Sequence, residues 1–120
     1  MKYMLLLNDD PQQGAEPGTQ AHEEEMREWF AYTDALVKAG AMVGGEALHG
    51  PESATTVTVR GGERVVTDGP YIESKEVLGG YYVIEVADLD EAIDWAARVP
   101  NVRTGSVEIR PVMDMDMDDS

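Results

Sequence analysis

The residues with the most chemical potential fall in and around one short stretch, Thr67-Asp68-Gly69-Pro70-Tyr71, which runs on through Glu73, Lys75 and Glu76 to Gly79-Gly80. Asp-Gly-Pro is a turn signal: Asp bonds its own backbone, Gly permits positive φ, and Pro fixes φ near -65° while removing a donor. A carboxylate at such a turn beside a cavity can act as a general base, so Asp68 is a candidate. It can equally serve as a plain turn residue. His49 stands between Glu46-Ala47-Leu48 and Gly50-Pro51 at the end of an expected strand. Its imidazole could shuttle a proton at neutral pH with Asp68 or Glu46 orienting it, or be simply solvated. Lys75 and Arg110 could clamp an anionic ligand, Glu46 and Glu73 supply carboxylates, and Tyr71 and Tyr82 supply rings and hydroxyls for a pocket wall. Ordinary cross-sheet ion pairs are the alternative for the charged members.

Other chemistries find no machinery. There are no cysteines, hence no disulfide, thiolate nucleophile or thiolate metal site. No His-x-x-x-His spacing exists, so no metal is expected, and no Gly-rich phosphate loop or Gly-x-Ser-x-Gly elbow points to a nucleotide or a serine nucleophile. No cofactor is expected. With 24 acids against 9 bases the formal net charge is -15, which argues against nucleic acid and anionic membranes as partners. The apolar run Met4-Leu5-Leu6-Leu7 is too short for a signal-peptide core or a membrane span, and a cytoplasmic location is the expectation.

The elements that must position these residues read as follows. At 120 residues the chain is most simply one domain, 1–112, with an acidic disordered Met-Asp tail at 113–120. Residues 2–7 form a buried strand and 8–20 a loop. A helix runs from His22 to Ala39, with Met26, Trp29, Phe30, Thr33, Leu36 and Val37 on its apolar stripe and Gly40 at its end. A short strand at 41–48 bends at Gly44-Gly45. Thr55–Arg60 and Glu63–Thr67 pair as a hairpin through Gly61-Gly62. Tyr81–Val86 is a strand, with Tyr81, Val83 and Glu85 on one face and Tyr82, Ile84 and Val86 on the other. Asp88 and Glu91 form a capping box for a second helix that buries Ala92, Trp95, Ala96 and Val99 and stops at Pro100. Residues 106–112 close the series. This rhythm predicts an α+β, ferredoxin-like sandwich with an inserted β-hairpin. The sheet face away from the helices is expected to need a second copy, giving a homodimer with a cavity between two sheets.

Lys2-Tyr3-Met4-Leu5-Leu6, Val43-Gly44-Gly45-Glu46-Ala47-Leu48, Thr67-Asp68-Gly69-Pro70-Tyr71, Lys75-Glu76, Leu78-Gly79-Gly80-Tyr81-Tyr82-Val83-Ile84, Asp90-Glu91-Ala92, Trp95-Ala96 and Val107-Glu108-Ile109-Arg110-Pro111 resemble the DGPF branch of the YCII-related family. Tyr71 stands where that motif usually has Phe. The resemblance implies a dimeric α+β barrel, and through the wider superfamily an acid–base enzyme acting on a small lactone- or enol-type metabolite. It also implies an alternative: a non-catalytic module that senses a small ligand or serves an extracytoplasmic-function sigma factor system. The superfamily's His–Asp pair draws its histidine from the first helix, but no local motif aligns His22 with that position, and the role is not carried over.

Overall fold

The computed structural model describes residues 1–10, 15–70 and 76–113. Six strands and two helices follow one another as β1 (Lys2–Asp9), α1 (Gln20–Lys38), β2 (Met42–Ala47), β3 (Thr55–Arg60), β4 (Glu63–Asp68), β5 (Val77–Glu85), α2 (Leu89–Ala97) and β6 (Ser106–Pro111), with 3₁₀ turns at Pro51–Ser53 and Pro100–Arg103. Strands β2, β5, β1 and β6 form an antiparallel four-stranded sheet in that order, while β3 and β4 pair as a separate two-stranded sheet.

Local chemistry accounts for most boundaries. Thr19 caps α1 by accepting from the His22 N–H, and Lys38 in the last turn complements the helix dipole. At α2, Asp88 Oδ1 accepts from the Glu91 N–H at 2.9 Å and Glu91 Oε2 accepts from the Ala87 N–H at 2.8 Å. The expected capping box therefore forms, with its return arm reaching one residue further back. Gly61 and Gly62 take φ of 58° and 82°, the two positive values that a tight hairpin turn requires.

One core holds the four-stranded sheet to both helices. Tyr3, Leu5 and Leu7 of β1 and Tyr82 and Ile84 of β5 meet Tyr32 and Leu36 of α1 and Ala92, Trp95 and Ala96 of α2, with Val99 just beyond. Tyr32 fixes the two helices to each other. Its hydroxyl donates to the Trp95 carbonyl at 2.9 Å, and its ring stands edge-on to both Tyr82 and Trp95. Burial pushes its phenol above the ordinary range, so it stays a neutral donor. The buried face of α1 is thus centred on Tyr32 and Leu36, while Val37 and Phe30, expected on that face, are exposed.

The expected dimeric α+β barrel is corrected. Among the described residues no sheet closes on itself: the four-stranded sheet ends at β2 and β6, and the hairpin stands apart from it. The argument for a roofing twin, and for the homodimer drawn from it, rested on Tyr, Ile and Val lying on a bare face. Register puts Tyr82 and Ile84 on the helix-covered side with Leu5 and Tyr3 instead. The opposite side carries Met4, Leu6, Tyr81 and Val83, all half-buried and set among Glu46, Glu85, Glu108 and Arg110. Such a mixed surface does not require a second sheet. The architecture is an open α/β fold of two sheets.

Candidate functional site: a glycine-floored cleft beneath α1

The N-terminal half of α1 does not sit on the sheet as its C-terminal half does. Between them lies a cleft of about 440 Å³. Met26, Trp29, Phe30 and Thr33, spaced as one helical stripe, form its roof, and Leu7, Met42, Ala47, Tyr82 and the glycines Gly45, Gly79 and Gly80 lie beneath. The glycines explain why the space exists. A β-carbon on Gly45 would stand 2.7 Å from the Tyr81 carbonyl oxygen and 3.0 Å from Tyr82 Cδ1, and one on Gly80 would stand 2.8 Å from the Glu46 carbonyl oxygen. Strands β2 and β5 therefore approach closely only because no side chain stands there, and the floor under α1 stays flat.

Two hydroxyls meet within this largely apolar space. The hydroxyls of Thr33 and Tyr82 share a hydrogen bond of 2.7 Å. Each retains capacity for a further partner, because a hydroxyl offers one donor and two acceptor sites. Tyr82 is itself held by its edge-on contact with Tyr32, ring centroids 5.4 Å apart. The pair is thus a hydroxyl group of fixed position facing an apolar cleft.

The residues expected to form the site are dispersed. Tyr82 lies in the cleft. Glu46 borders it, although strand alternation sends its side chain to the opposite face beside Tyr81. Asp68 ends β4 opposite Thr55, exposed, in a turn held by the Gly69 N–H donating to Ala54 O at 2.7 Å and by Thr56 Oγ1 donating to Gly69 O at 2.7 Å. His49 is exposed after β2. Neither lines the cleft. Arg110 lies on the far side of the sheet, ion-paired with Glu108. Tyr71, Glu73 and Lys75, and the tail from residue 114, fall outside the described residues.

Sequence reasoning missed Trp29 and Thr33 as site residues by assigning their stripe to the core. It also missed a second cleft, of about 360 Å³, on the other side of Trp29, where Asp9 and Glu25 meet Asn101 and Arg103. Burial raises the Asp9 pKa, helped by the carboxylates of Glu25, Asp10 and Glu76 and opposed by the Asp10 N–H.

An open antiparallel sheet with two helices on one face, a separate hairpin and a cleft between helix and strands defines a small mixed α/β domain. The chain belongs to the YCII-related domain family, whose model matches residues 1–116. It is 36% identical over 114 residues to an uncharacterised protein of Rhizobium meliloti (strain 1021), covering 93% of this chain and 92% of that one. Among solved structures it is similar to 5-chloro-2-hydroxyhydroquinone dehydrochlorinase from Burkholderia phenoliruptrix, in complex with 2,5-dihydroxybenzoquinone. That match has a TM-score of 0.53 and 14% identity and covers 94% of each chain. The similarity establishes a shared fold with an enzyme acting on a small molecule. No helix among the described residues is long and apolar enough to cross a membrane.

Proposed function

We propose that the protein is a small-molecule enzyme whose substrate occupies the cleft beneath α1, and that its chemistry is proton transfer at a lactone- or enol-type ring. The observation that carries this is the cleft itself: about 440 Å³, apolar, with one fixed pair of hydroxyls. A flat ring suits a glycine floor under an aromatic roof of Trp29 and Phe30. With Thr33 as the donor of their shared bond, Tyr82 is free to donate to a ring oxygen and to take the proton back. The fold shared with an enzyme whose bound molecule is a hydroxylated quinone supports the same ligand size.

One observation favours a second reading, a small-ligand sensor. Among the described residues the cleft is lined by the hydroxyl-bearing Thr33, Tyr81 and Tyr82 and by one carboxylate residue, Glu46, but by no histidine, lysine or arginine. Turnover separates the two. The purified chain is titrated with 2,5-dihydroxybenzoquinone and a panel of enol lactones, following ligand absorbance and product. The expected result is saturable binding with turnover of at least one lactone, and Tyr82→Phe abolishing turnover while leaving binding within about tenfold. Binding without turnover selects the sensor. Turnover unaffected in Tyr82→Phe refutes the assignment of proton transfer to Tyr82.

A further inference from the structure

Three glycines floor the cleft beneath α1, and backbone packing accounts for only two of them. A β-carbon on Gly45 or Gly80 would meet a backbone carbonyl oxygen at 2.7 or 2.8 Å, so strand approach fixes both. Gly79 has no such reason. The nearest atom to a β-carbon built there is the Leu7 carbonyl oxygen, at 3.9 Å, an ordinary contact. Its φ lies outside the left-handed region, so no turn demands glycine. Gly79 does fall at the register shift between Leu7 and Asn8, where β5 carries one residue more than β1 pairs with. Such a bulge requires glycine only where the extra residue takes a positive φ. A glycine inside a strand weakens it and packs against nothing. Other residue types would suit the backbone at this position at least as well.

What Gly79 borders is the cleft, which it lines together with Leu7, the residue nearest to the added β-carbon. The bulge also releases it from the strict alternation that governs the rest of the strand. Along β5 the lining is continuous from Gly79 to Tyr82, about 10 Å at the rise of a strand. One six-membered ring is shorter than that.

We propose that Gly79 is a specificity-determining residue: by carrying no side chain it lets the cleft take a planar ligand of two fused rings, one at the Thr33 and Tyr82 hydroxyls and the second over Gly79. This rests on the reading of the cleft as a substrate site. The volume of about 440 Å³ falls in the range of sites for drug-sized ligands. The two hydroxyls hold the oxygen-bearing ring, whatever lies further along the floor. The second ring has only flat contact to gain, and dispersion contact is lost once an intervening group lifts the ring from the surface. A side chain at residue 79 therefore takes the space of the second ring and leaves that of the first. The selection is steric and acts against the larger ligand alone.

The test compares 2-pyranone with coumarin, the same lactone ring alone and fused to benzene. Each is titrated into the ¹⁵N-labelled full chain while the amide signals of Gly45 and Gly80, in the cleft floor, are followed. Coumarin is expected to bind about tenfold or more tightly than 2-pyranone. Gly79→Val is expected to weaken coumarin by about tenfold or more and 2-pyranone by about threefold at most, with Tm no lower than that of the native chain. Gly79→Ala adds a single methyl at the same open position and gives the same comparison where valine perturbs the fold. Gly44→Ala, at an equally open glycine that does not line the cleft, is expected to change neither affinity. If neither compound moves the floor signals saturably, the substrate-site reading and this proposal fall together. If both bind but the native chain shows no preference, or the residue 79 variants keep it or weaken both compounds alike, the proposal alone is overturned. A clear drop in Tm in Gly79→Ala gives the glycine a structural reason and overturns it as well.

Discussion

The Thr33–Tyr82 hydroxyl pair is a polar anchor of the cleft beneath α1, and its strength can be measured. Tyr82→Phe removes the hydroxyl but keeps the ring against Tyr32, so packing is unchanged and only the 2.7 Å bond is lost. Such a bond contributes about 1 kcal/mol net, because water entering the cleft replaces part of it. Thr33→Val removes the other partner at nearly constant volume and costs about the same. If the two hydroxyls act chiefly on each other, the double variant also costs about 1 kcal/mol rather than about 2, a coupling of about 1 kcal/mol. For a chain of this size each kcal/mol lowers Tm by about 4 °C. Urea unfolding of the four proteins, with m held constant across the set, reads the cycle directly. Single costs that add to within about 0.3 kcal/mol would show that the hydroxyls do not stabilise one another. They would then be independent groups on a pocket wall, and the fixed proton donor assigned to Tyr82 would lose its basis.

Two further outcomes follow from the same geometry. Gly45→Ala places a β-carbon against the Tyr81 carbonyl, which is backbone and cannot swing aside, so stability falls by roughly 1–3 kcal/mol. Gly44→Ala next door meets nothing within 4 Å and changes stability by about 0.5 kcal/mol or less, so equal effects in the two variants would refute the close-approach argument. Asp9 yields a pH dependence of definite sign. Its folded pKa lies above the ordinary 3.8, so between that value and its folded pKa the native state holds a proton that the unfolded chain has released. Stability therefore declines as pH rises through this window, and above it the ionised Asp9 faces Glu25, Asp10 and Glu76. Asp9→Asn is expected to raise Tm at pH 7 and to lose that advantage below pH 3.8, and thermal melts across pH that run parallel for the two proteins would contradict it.

What was legible in the sequence was whatever local chemistry decides. The hairpin follows from Gly61-Gly62 between alternating runs, and α2 follows from Asp88 and Glu91 with the spacing of Ala92, Trp95 and Ala96. Periodicity also sorted β5 correctly into two faces. It could not say which face meets the helices, and the expected barrel came from assigning the missing layer to the wrong set. The stripe of α1 shows the same limit. Met26, Trp29, Phe30 and Thr33 do form one face, but spacing defines a face and not what lies opposite it. The answer depended on glycines in two other strands. Asp9 was hidden more deeply, since Asn101 comes within reach of its neighbour Asn8 from a separation of 93 residues. The Asp-Gly-Pro turn is as constrained as its composition implies, but the constraint holds the end of a hairpin and leaves Asp68 exposed.

The two ends of α1 therefore carry different burdens. Its C-terminal half is anchored: Leu36 is fully buried, and Tyr32 is tied to α2 through the Trp95 carbonyl. Its N-terminal half spans open space, with one cleft on each side of Trp29. A rigid helix fixed at one end holds the roof residues in place without their own burial having to support the fold. This is why Phe30 can be 68% exposed, and it is why a stripe rich in aromatic and apolar groups need not be core. It also orders the consequences of substitution along one helix. Changes at Tyr32 or Leu36 act on stability, and changes at Trp29 or Thr33 act first on the shape of the clefts. Trp29 is common to both clefts, so a substitution there alters a wall of each.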